Sequence, residues 1–512
     1  MWAENLIISL ERRTRRSAPS YHRQVFAQIR DAILDGTLRA GDRLPASRQL
    51  ARSLRLARNT VARAYEDLLA GGYIEGKVGS GSYVMANLDL PRTTGPRLKP
   101  APAGRGAEAG RPRAPAHGPA PAIRIDFRPG ISDWEAFPRR LWLRLIGRAL
   151  RANASELRRY GEPGGYYPLR EAIARHLAIS RGVSALAEQV VICNGSQQAL
   201  DLIARLCLEP GDRAALEDPG YPEARQVLGR GSRPLFVPVD GDGMEVAALE
   251  RMTNGRPAPR LVYLTPSHQF PTGAVLPLSR RLALLGWAAR RDVLVVEDDY
   301  DSELRTPGRI VESLQGLDRA RKVIYIGTFS TVLFPPLRVG YLVLPPEWTE
   351  RFLQAKWLAD RQTATLDQLS LTAFLQEGHF ERHLRAMRRL VAGRREAMRA
   401  AIESDLRGIM EASGSSLGMH VMVRAGRSAS AERAADLERR IAAAAAARGV
   451  AVYAVGPCWS QPPRHATFLL GYAALNEELI REGVKQLARA AEEVSGRAAA
   501  ARMRTAHQAG RH

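Results

Sequence analysis

Between Pro91 and Ala122 lie eight prolines in thirty-two residues, with alanine, glycine and arginine making up most of the rest. Proline fixes φ and brings no amide donor, and no apolar periodicity runs through the stretch, so it can enter neither a helix nor a sheet core. A chain of 512 residues interrupted in this way has to fold as separate units on either side of a linker. The expected division is an N-terminal unit over 1–90, the linker over 91–122, a larger unit over 123–495 and a basic tail over 496–512. Charge follows the same boundary. Residues 1–122 carry twenty basic and ten acidic side chains, +10 of the total +22, and the remaining 390 residues carry +12. Positive charge is thus about three times denser at the N-terminal end, which points to a polyanionic partner there.

Apolar residues at 45% and charged residues at 25% exclude a mostly disordered or collagen-like chain. The three cysteines, Cys193, Cys207 and Cys458, have no metal-ligand spacing and fit a reducing compartment. No run approaches the roughly 18 apolar residues of a membrane span, and Leu6–Leu10 is too short for a signal segment. A cytoplasmic location without a membrane partner is expected.

In the N-terminal unit, Val25, Ile29, Ala32 and Ile33 share a helical face that Gly36 closes. A second helix is expected from Ser47 and a third from Arg58, followed by a glycine-punctuated hairpin over Lys77–Val84. Three short helices and a β-wing make a winged helix-turn-helix. The start of the third helix presents Arg58, Asn59, Thr60 and, one turn on, Arg63. Arginine pairs with guanine and asparagine with adenine in a major groove, while Arg43 and Arg48 stand where phosphate contacts fall.

The strings Gly41-x-Arg43-Leu44-Pro45, Ser47-Arg48-x-Leu50-Ala51, Arg58-Asn59-Thr60-Val61 and Gly79-Ser-Gly81 together resemble the GntR-type DNA-binding domain over about residues 19–85. The resemblance implies operator DNA as a partner and adds Ser47, Lys77, Gly79 and Gly81 to the DNA-facing set. Two positions depart from the pattern: Ala46 and Ala57 stand where serine is usual. A lost N-cap hydroxyl costs a helix roughly 1 kcal/mol. In the linker, Gly110-Arg-Pro-Arg113 has the composition of a minor-groove contact but is read as spacer, since Arg-Pro pairs are common in basic linkers.

Beyond residue 123, β-branched runs alternate with helical stretches, the pattern of an α/β domain with a mainly parallel sheet. Four loops each follow an apolar run and so belong at the carboxyl edge of that sheet. They are Asn194-Gly-Ser-Gln-Gln198 after Val190–Cys193, Thr265–Gly273 after Leu261–Leu264, Glu297-Asp-Asp-Tyr-Asp301 after Val293–Val296, and Gly327–Arg338 after Val323–Ile326. A glycine turn with a hydroxyl at a helix start suits a phosphate.

These loops, with Glu217-Asp-Pro-Gly-Tyr221 and Pro266-Ser-His-Gln-Phe-Pro-Thr-Gly273, resemble fold-type I pyridoxal-phosphate-dependent aminotransferases over about residues 123–495. Joined to the N-terminal unit, the chain is identified as a member of the MocR-like subgroup of GntR regulators. The resemblance implies a homodimer and a cofactor site. In that site Asp298 would pair with the pyridinium nitrogen, Tyr300 with the ring hydroxyl, and Tyr221 would stack on the ring. Ser196, Gln197, Thr328, Ser330 and Arg338 would hold the phosphate, and His268 belongs to the same set.

The family's Schiff-base lysine follows Ser330, but Thr331 stands there. A hydroxyl forms no imine, and lysine is scarce: only Lys77, Lys99, Lys322, Lys356 and Lys485 occur, none placed by sequence to replace it. The expected function is therefore a transcription regulator, not an enzyme, whose aminotransferase-like domain senses an amine or amino acid. Three uses of the pocket stay open: non-covalent binding of pyridoxal phosphate, its amine form or an amino-acid adduct; binding of another anionic ligand; or a scaffold that has lost the cofactor. The competing reading is a pyridoxal-phosphate-dependent aminotransferase with an appended DNA-binding module. For an effector carboxylate, Arg464 is the candidate, and Glu223 would repel one if it faces the site.

Overall fold

The computed structural model describes Ile8, Leu10 and residues 20–77, 81–85, 123–304, 312–413 and 418–509, of which 497–509 are helical backbone. The chain falls into two compact units that divide within the proline-rich stretch. Gly79 and Gly110–Arg113 lie outside the described residues.

In the smaller unit, α1 (Tyr21–Leu34), α2 (Ser47–Ser53) and α3 (Arg58–Ala70) pack around Val25, Ile29, Ile33, Leu50, Val61 and Leu68. Gly36 follows α1 with φ +82°, a turn that glycine adopts without strain. Tyr65 is buried in the same core and its hydroxyl donates to the Pro45 carbonyl at 2.8 Å, fixing the turn ahead of α2. Strands β1 (Ile74–Lys77) and β2 (Gly81–Val84) form the antiparallel wing. The wing begins three residues earlier than the Lys77–Val84 hairpin expected from glycine spacing, because Ile74 and Val84 pair across it and are both buried. Ala46 and Ala57 precede α2 and α3 with no side-chain cap.

The larger unit is built on an eight-stranded sheet. Its strands are β4 (Val190–Cys193), β5 (Arg213–Asp218), β6 (Arg233–Asp240), β7 (Gly243–Met244), β8 (Leu261–Leu264), β9 (Leu294–Asp299), β10 (Val323–Thr328) and β11 (Gly340–Val343), after a short β3 (Ile125–Asp126). The order is β4-β11-β10-β9-β8-β5-β6-β7. Strands β6, β5, β8, β9 and β10 are mutually parallel, and β11 runs antiparallel between β10 and β4. Period-2 alternation sends successive side chains to opposite faces. Tyr263, Leu294 and Val296 pack against the helix Ser196–Cys207, while Val262, Leu264 and Val295 pack against the helix Leu278–Arg291.

All four expected strands are present, and β4, β8, β9 and β10 end at one edge. One boundary moves. Glu297, Asp298 and Asp299, read from sequence as loop, continue β9, with Ile326 opposite Asp298 and Gly327 opposite Asp299.

A four-stranded sheet, β12 (Met410–Ser413), β13 (His420–Arg427), β15 (Tyr453–Ala454) and β16 (His465–Gly471), is backed by the helices Ala431–Ala447 and Glu477–Ala509. Here β14 (Val450–Ala451) pairs with β3. The alanine-rich run Ile441–Arg448 is helical as expected through Ala447, and the last helix crosses residue 495 without a break. No helix of the described residues is long and apolar enough to cross a membrane.

The uncapped start of α3 gives the first prediction. Ala57→Ser should stabilise that helix by ~1 kcal/mol, read as a slowing of amide exchange by about five-fold in peptides covering α3; unchanged exchange would show that the cap position does not limit it.

Candidate ligand-binding site

At the carboxyl edge of the large sheet a cavity of about 600 Å³ opens, lined by ends of β8, β9 and β10, by the turns that follow them, and by the small sheet. This size lies within the range of small-ligand pockets, roughly 300–1,000 Å³. Of the residues selected from sequence, Ser196, Tyr221, Asp298, Tyr300, Thr328, Ser330, Thr331 and Arg338 all line it.

One corner is built for an anion. Gly195, at φ +81°, turns the chain from β4 into the helix Ser196–Cys207, whose first amides have no side-chain cap. Arg338 lies across this turn and donates to the Asn194 carbonyl at 2.8 Å. A Cβ at position 195 would come within 3.0 Å of its guanidinium, so glycine allows the close approach. Among the described residues, Arg338 has no carboxylate within ion-pair distance. Among the described residues the buried Ser330 hydroxyl has no partner, and the Ser330 amide donates to the Thr328 hydroxyl at 3.1 Å. An unpaired arginine, an unpartnered hydroxyl and a helix start converge here, which fits a phosphate group. Gln197, one residue on, is exposed and does not line the cavity.

The opposite wall carries the strongest electrostatic feature. Successive residues Glu297, Asp298 and Asp299 of β9 are all buried. Asp299 is paired with Arg181 at 2.8 Å and accepts from the Tyr325 hydroxyl at 2.7 Å. Glu297 accepts from the Leu314 and Gln315 amides, both at 3.0 Å, with Arg281 at 3.7 Å. Asp298 points to the other face and has the Tyr263 hydroxyl at 2.8 Å but, among the described residues, no cation. Burial pushes its carboxyl up to about 7, with the Tyr263 hydrogen bond opposing and the neighbouring Asp299 adding to the shift. A cationic ring nitrogen seated there would supply the missing countercharge.

Tyr300, next along, reaches back to His268, whose Nδ1 lies 2.9 Å from the phenol oxygen and 2.7 Å from Asp301. His268 is therefore behind the lining residues, buried and separated from the cavity by Tyr300. The Thr331 hydroxyl donates to the Tyr300 carbonyl, and the Thr331 carbonyl accepts from Ser132 at 2.6 Å, so threonine ties the two loops together. No lysine lines the cavity among the described residues. Lys356 is buried against Asp360, at 2.7 and 2.9 Å from its two oxygens, and Lys322 pairs with Asp292 at 2.6 Å at the amino end of β10.

The fold and motifs have counterparts among known proteins. Residues 135–487 match the family Aminotransferase class I and II, and residues 22–84 match Bacterial regulatory proteins, gntR family. The chain is 37% identical over 473 residues to the probable rhizopine catabolism regulatory protein MocR of Rhizobium meliloti, covering 91% of this chain and 92% of that one. It is 34% identical over 482 residues to the HTH-type transcriptional regulator TauR of Rhodobacter capsulatus, covering 90% and 94%. The chain belongs to the MocR subgroup of GntR-family regulators. Its larger unit is similar to the α-aminoadipate aminotransferase LysN of Thermus thermophilus, solved with N-(5'-phosphopyridoxyl)-L-leucine, at TM-score 0.66 and 34% identity over 73% of this chain and 93% of that one.

In this regulator the DNA-binding unit leaves Arg43, Arg48, Arg58, Asn59 and Arg63 exposed and Ser47 and Thr60 half-buried. Arg43 bridges to Tyr83 of the wing, where Gly81 has φ +112° and Lys77 pairs with Gly81. Glu223, two positions after Tyr221, is an exposed residue of the lining. Arg225 turns away to Asp218 at 2.6 Å, and Ser460 holds the other Asp218 oxygen at 2.6 Å. Arg464, the sequence candidate for a carboxylate, is exposed and outside the lining. Sequence reasoning did not single out Tyr263, Tyr453, Leu469 or His420 as site residues; a lone tyrosine within the aliphatic run Leu261–Leu264 was the only local signal among them.

The Asp298 shift fixes a pH dependence. An acid whose folded pKa lies above its unfolded value near 4 binds more protons in the folded state, so its contribution to stability falls as pH rises from about 4 to about 7. Asp298→Asn should lessen that fall in the ligand-free protein, measured as Tm against pH. An unchanged slope would mean that Asp298 ionises freely.

Proposed function

We propose that this MocR-type regulator senses a small ligand in its aminotransferase-like domain, with pyridoxal phosphate, its amine form or an amino-acid adduct held non-covalently, and transmits occupancy to operator DNA. The observation that carries the reading is the pairing of two complementary groups in one cavity: among the described residues, buried Asp298 has no cation and exposed Arg338 no anion. A pyridinium phosphate answers both. Ser196, Thr328, Ser330 and Arg338 would hold the phosphate, Asp298 the ring nitrogen, Tyr300 the ring oxygen, and Tyr221 would cover the ring. When bound, pyridoxal phosphate supplies an aldehyde that reacts with amines.

Thr331 takes the place of the family's lysine in this reading. Its hydroxyl already serves the Tyr300 carbonyl and provides neither a covalent anchor nor a base for proton transfer. The domain therefore binds without turnover, and cofactor and effector leave unchanged. Two chains would assemble through the larger unit, presenting paired recognition helices to a two-fold operator.

Two experiments test these assignments. Absorbance titration with pyridoxal phosphate, followed by borohydride reduction and peptide mapping, should show saturable binding without labelling in the native chain and labelling at position 331 in Thr331→Lys. Site-specific labelling of a native lysine, or turnover of an amino donor, would overturn the reading. For DNA, Arg58→Ala should weaken binding to a duplex selected from a randomised pool by ~1–3 kcal/mol; equal affinity would remove Arg58 from the base-reading set.

A further inference from the structure

The part of the cavity beyond the ring-binding residues selects the chemistry of what else can enter. An α-amino acid brings a carboxylate, and a carboxylate taken out of water needs a cation or several donors. Arg338 is the one cationic side chain in the described lining, and it belongs to the phosphate corner. Two other arginines are committed elsewhere, and a third lies outside the lining. Arg128 donates to the Tyr453 hydroxyl at 2.8 Å and lies 3.4 Å from Asp126. Arg225 is held by Asp218 and stacks on Phe236 with its guanidinium 4.9 Å from the ring centre. Arg464 is exposed and outside the lining.

What faces the space instead is mostly apolar, with Glu223, Gln226 and His420 among its polar side chains and no cation among them. Val455, Cys458 and Leu469 form one wall, and all three are buried. Tyr221 and Phe270 stand edge to face at 5.6 Å, and Tyr453 adds a third ring. Glu223, an exposed residue of the rim, contributes a carboxylate that has no hydrogen-bond or ion-pair partner among the described residues. Aromatic faces and an unpaired carboxylate attract an ammonium group and oppose a carboxylate.

We infer that the effector is a cationic amine without a carboxylate, its ammonium group directed by Glu223 and its carbon skeleton received by the Val455, Cys458 and Leu469 wall. The inference rests on the reading that this cavity takes a ligand, and it narrows that reading from amines and amino acids to amines alone. Glu223 is a specificity-determining residue in this account: it contributes to choice among ligands, while the phosphate and ring-nitrogen contacts come from other residues of the lining.

Matched pairs that differ only in the carboxylate give the test. The full-length protein, saturated with pyridoxal phosphate, is titrated calorimetrically with 2-phenylethylamine against L-phenylalanine, butylamine against L-norvaline, and putrescine against L-ornithine. The amine should bind at least ten-fold tighter in every pair that binds. Glu223→Gln should reduce that preference about five-fold with cofactor affinity unchanged. Equal or tighter binding of an amino acid would overturn the inference, as would a preference unaltered by Glu223→Gln. Failure of all six compounds to bind would overturn it too. Cofactor absorbance, recorded on the same samples, separates the two readings: saturable cofactor binding leaves the proposed function standing when amine selectivity fails, and its absence removes both.

Discussion

Three consecutive buried carboxylates on a central strand are the constraint around which the larger unit is arranged. Burying even one ionised carboxylate without a partner costs several kcal/mol, so β9 needs neighbours that deliver charge and donors. Alternation along the strand sends Glu297 and Asp299 to one face, where Arg281 and Arg181 arrive from separate helices. Arg181 also reaches the Ser267 hydroxyl at 2.5 Å, and Arg281 donates to the Pro266 carbonyl at 2.8 Å. The loop after β8 is thereby fastened to β9 by the same two arginines. Asp298, on the other face, receives only a phenol. Its unmet charge is what the cavity offers to a ligand.

The opposite corner has the complementary deficit. Arg338 is aimed at the start of a helix and donates to a backbone carbonyl there, and Gly195 keeps that approach open. Thr331 also lines the cavity. Its hydrogen bonds run along the loops and hold Tyr300 and Ser132 in place, so the residue contributes to the geometry of the pocket. Asp298 and Arg338 both line the cavity, and the described lining contains no lysine.

Much of this was legible in the sequence because it depends on local patterns. Apolar runs placed the four strands, and glycine with a following hydroxyl placed the turn into the helix at Ser196. The α3 start could be read from its polar face and the wing from its glycines. Long-range partners were not legible. Glu297-Asp-Asp reads as a loop because nothing nearby neutralises it; the arginines that allow it to remain strand lie more than a hundred residues before it in one case and on the preceding helix in the other. Arg225 follows the Gly220-Tyr221 turn, yet Asp218 claims its guanidinium, with Ser460 holding the other oxygen of that carboxylate. His268 shares a motif with cavity residues, but Asp301 and Tyr300 hold it one layer back. Scarcity of lysine, by contrast, is a property of composition and could be read at once.

The two units divide the charge according to what they meet: a dense basic face with Arg58, Asn59 and Arg63 exposed on one, and a cavity with paired deficits on the other. A sensor requires that these be coupled, and coupling is a free energy that either site can report. The most direct test is the affinity of the full-length protein for its selected duplex, measured by fluorescence anisotropy with and without saturating pyridoxal phosphate. A coupled sensor predicts a shift of about five-fold or more in Kd, lost in Asp298→Ala. Identical affinity in both conditions, with cofactor binding verified in the same sample, would contradict the account.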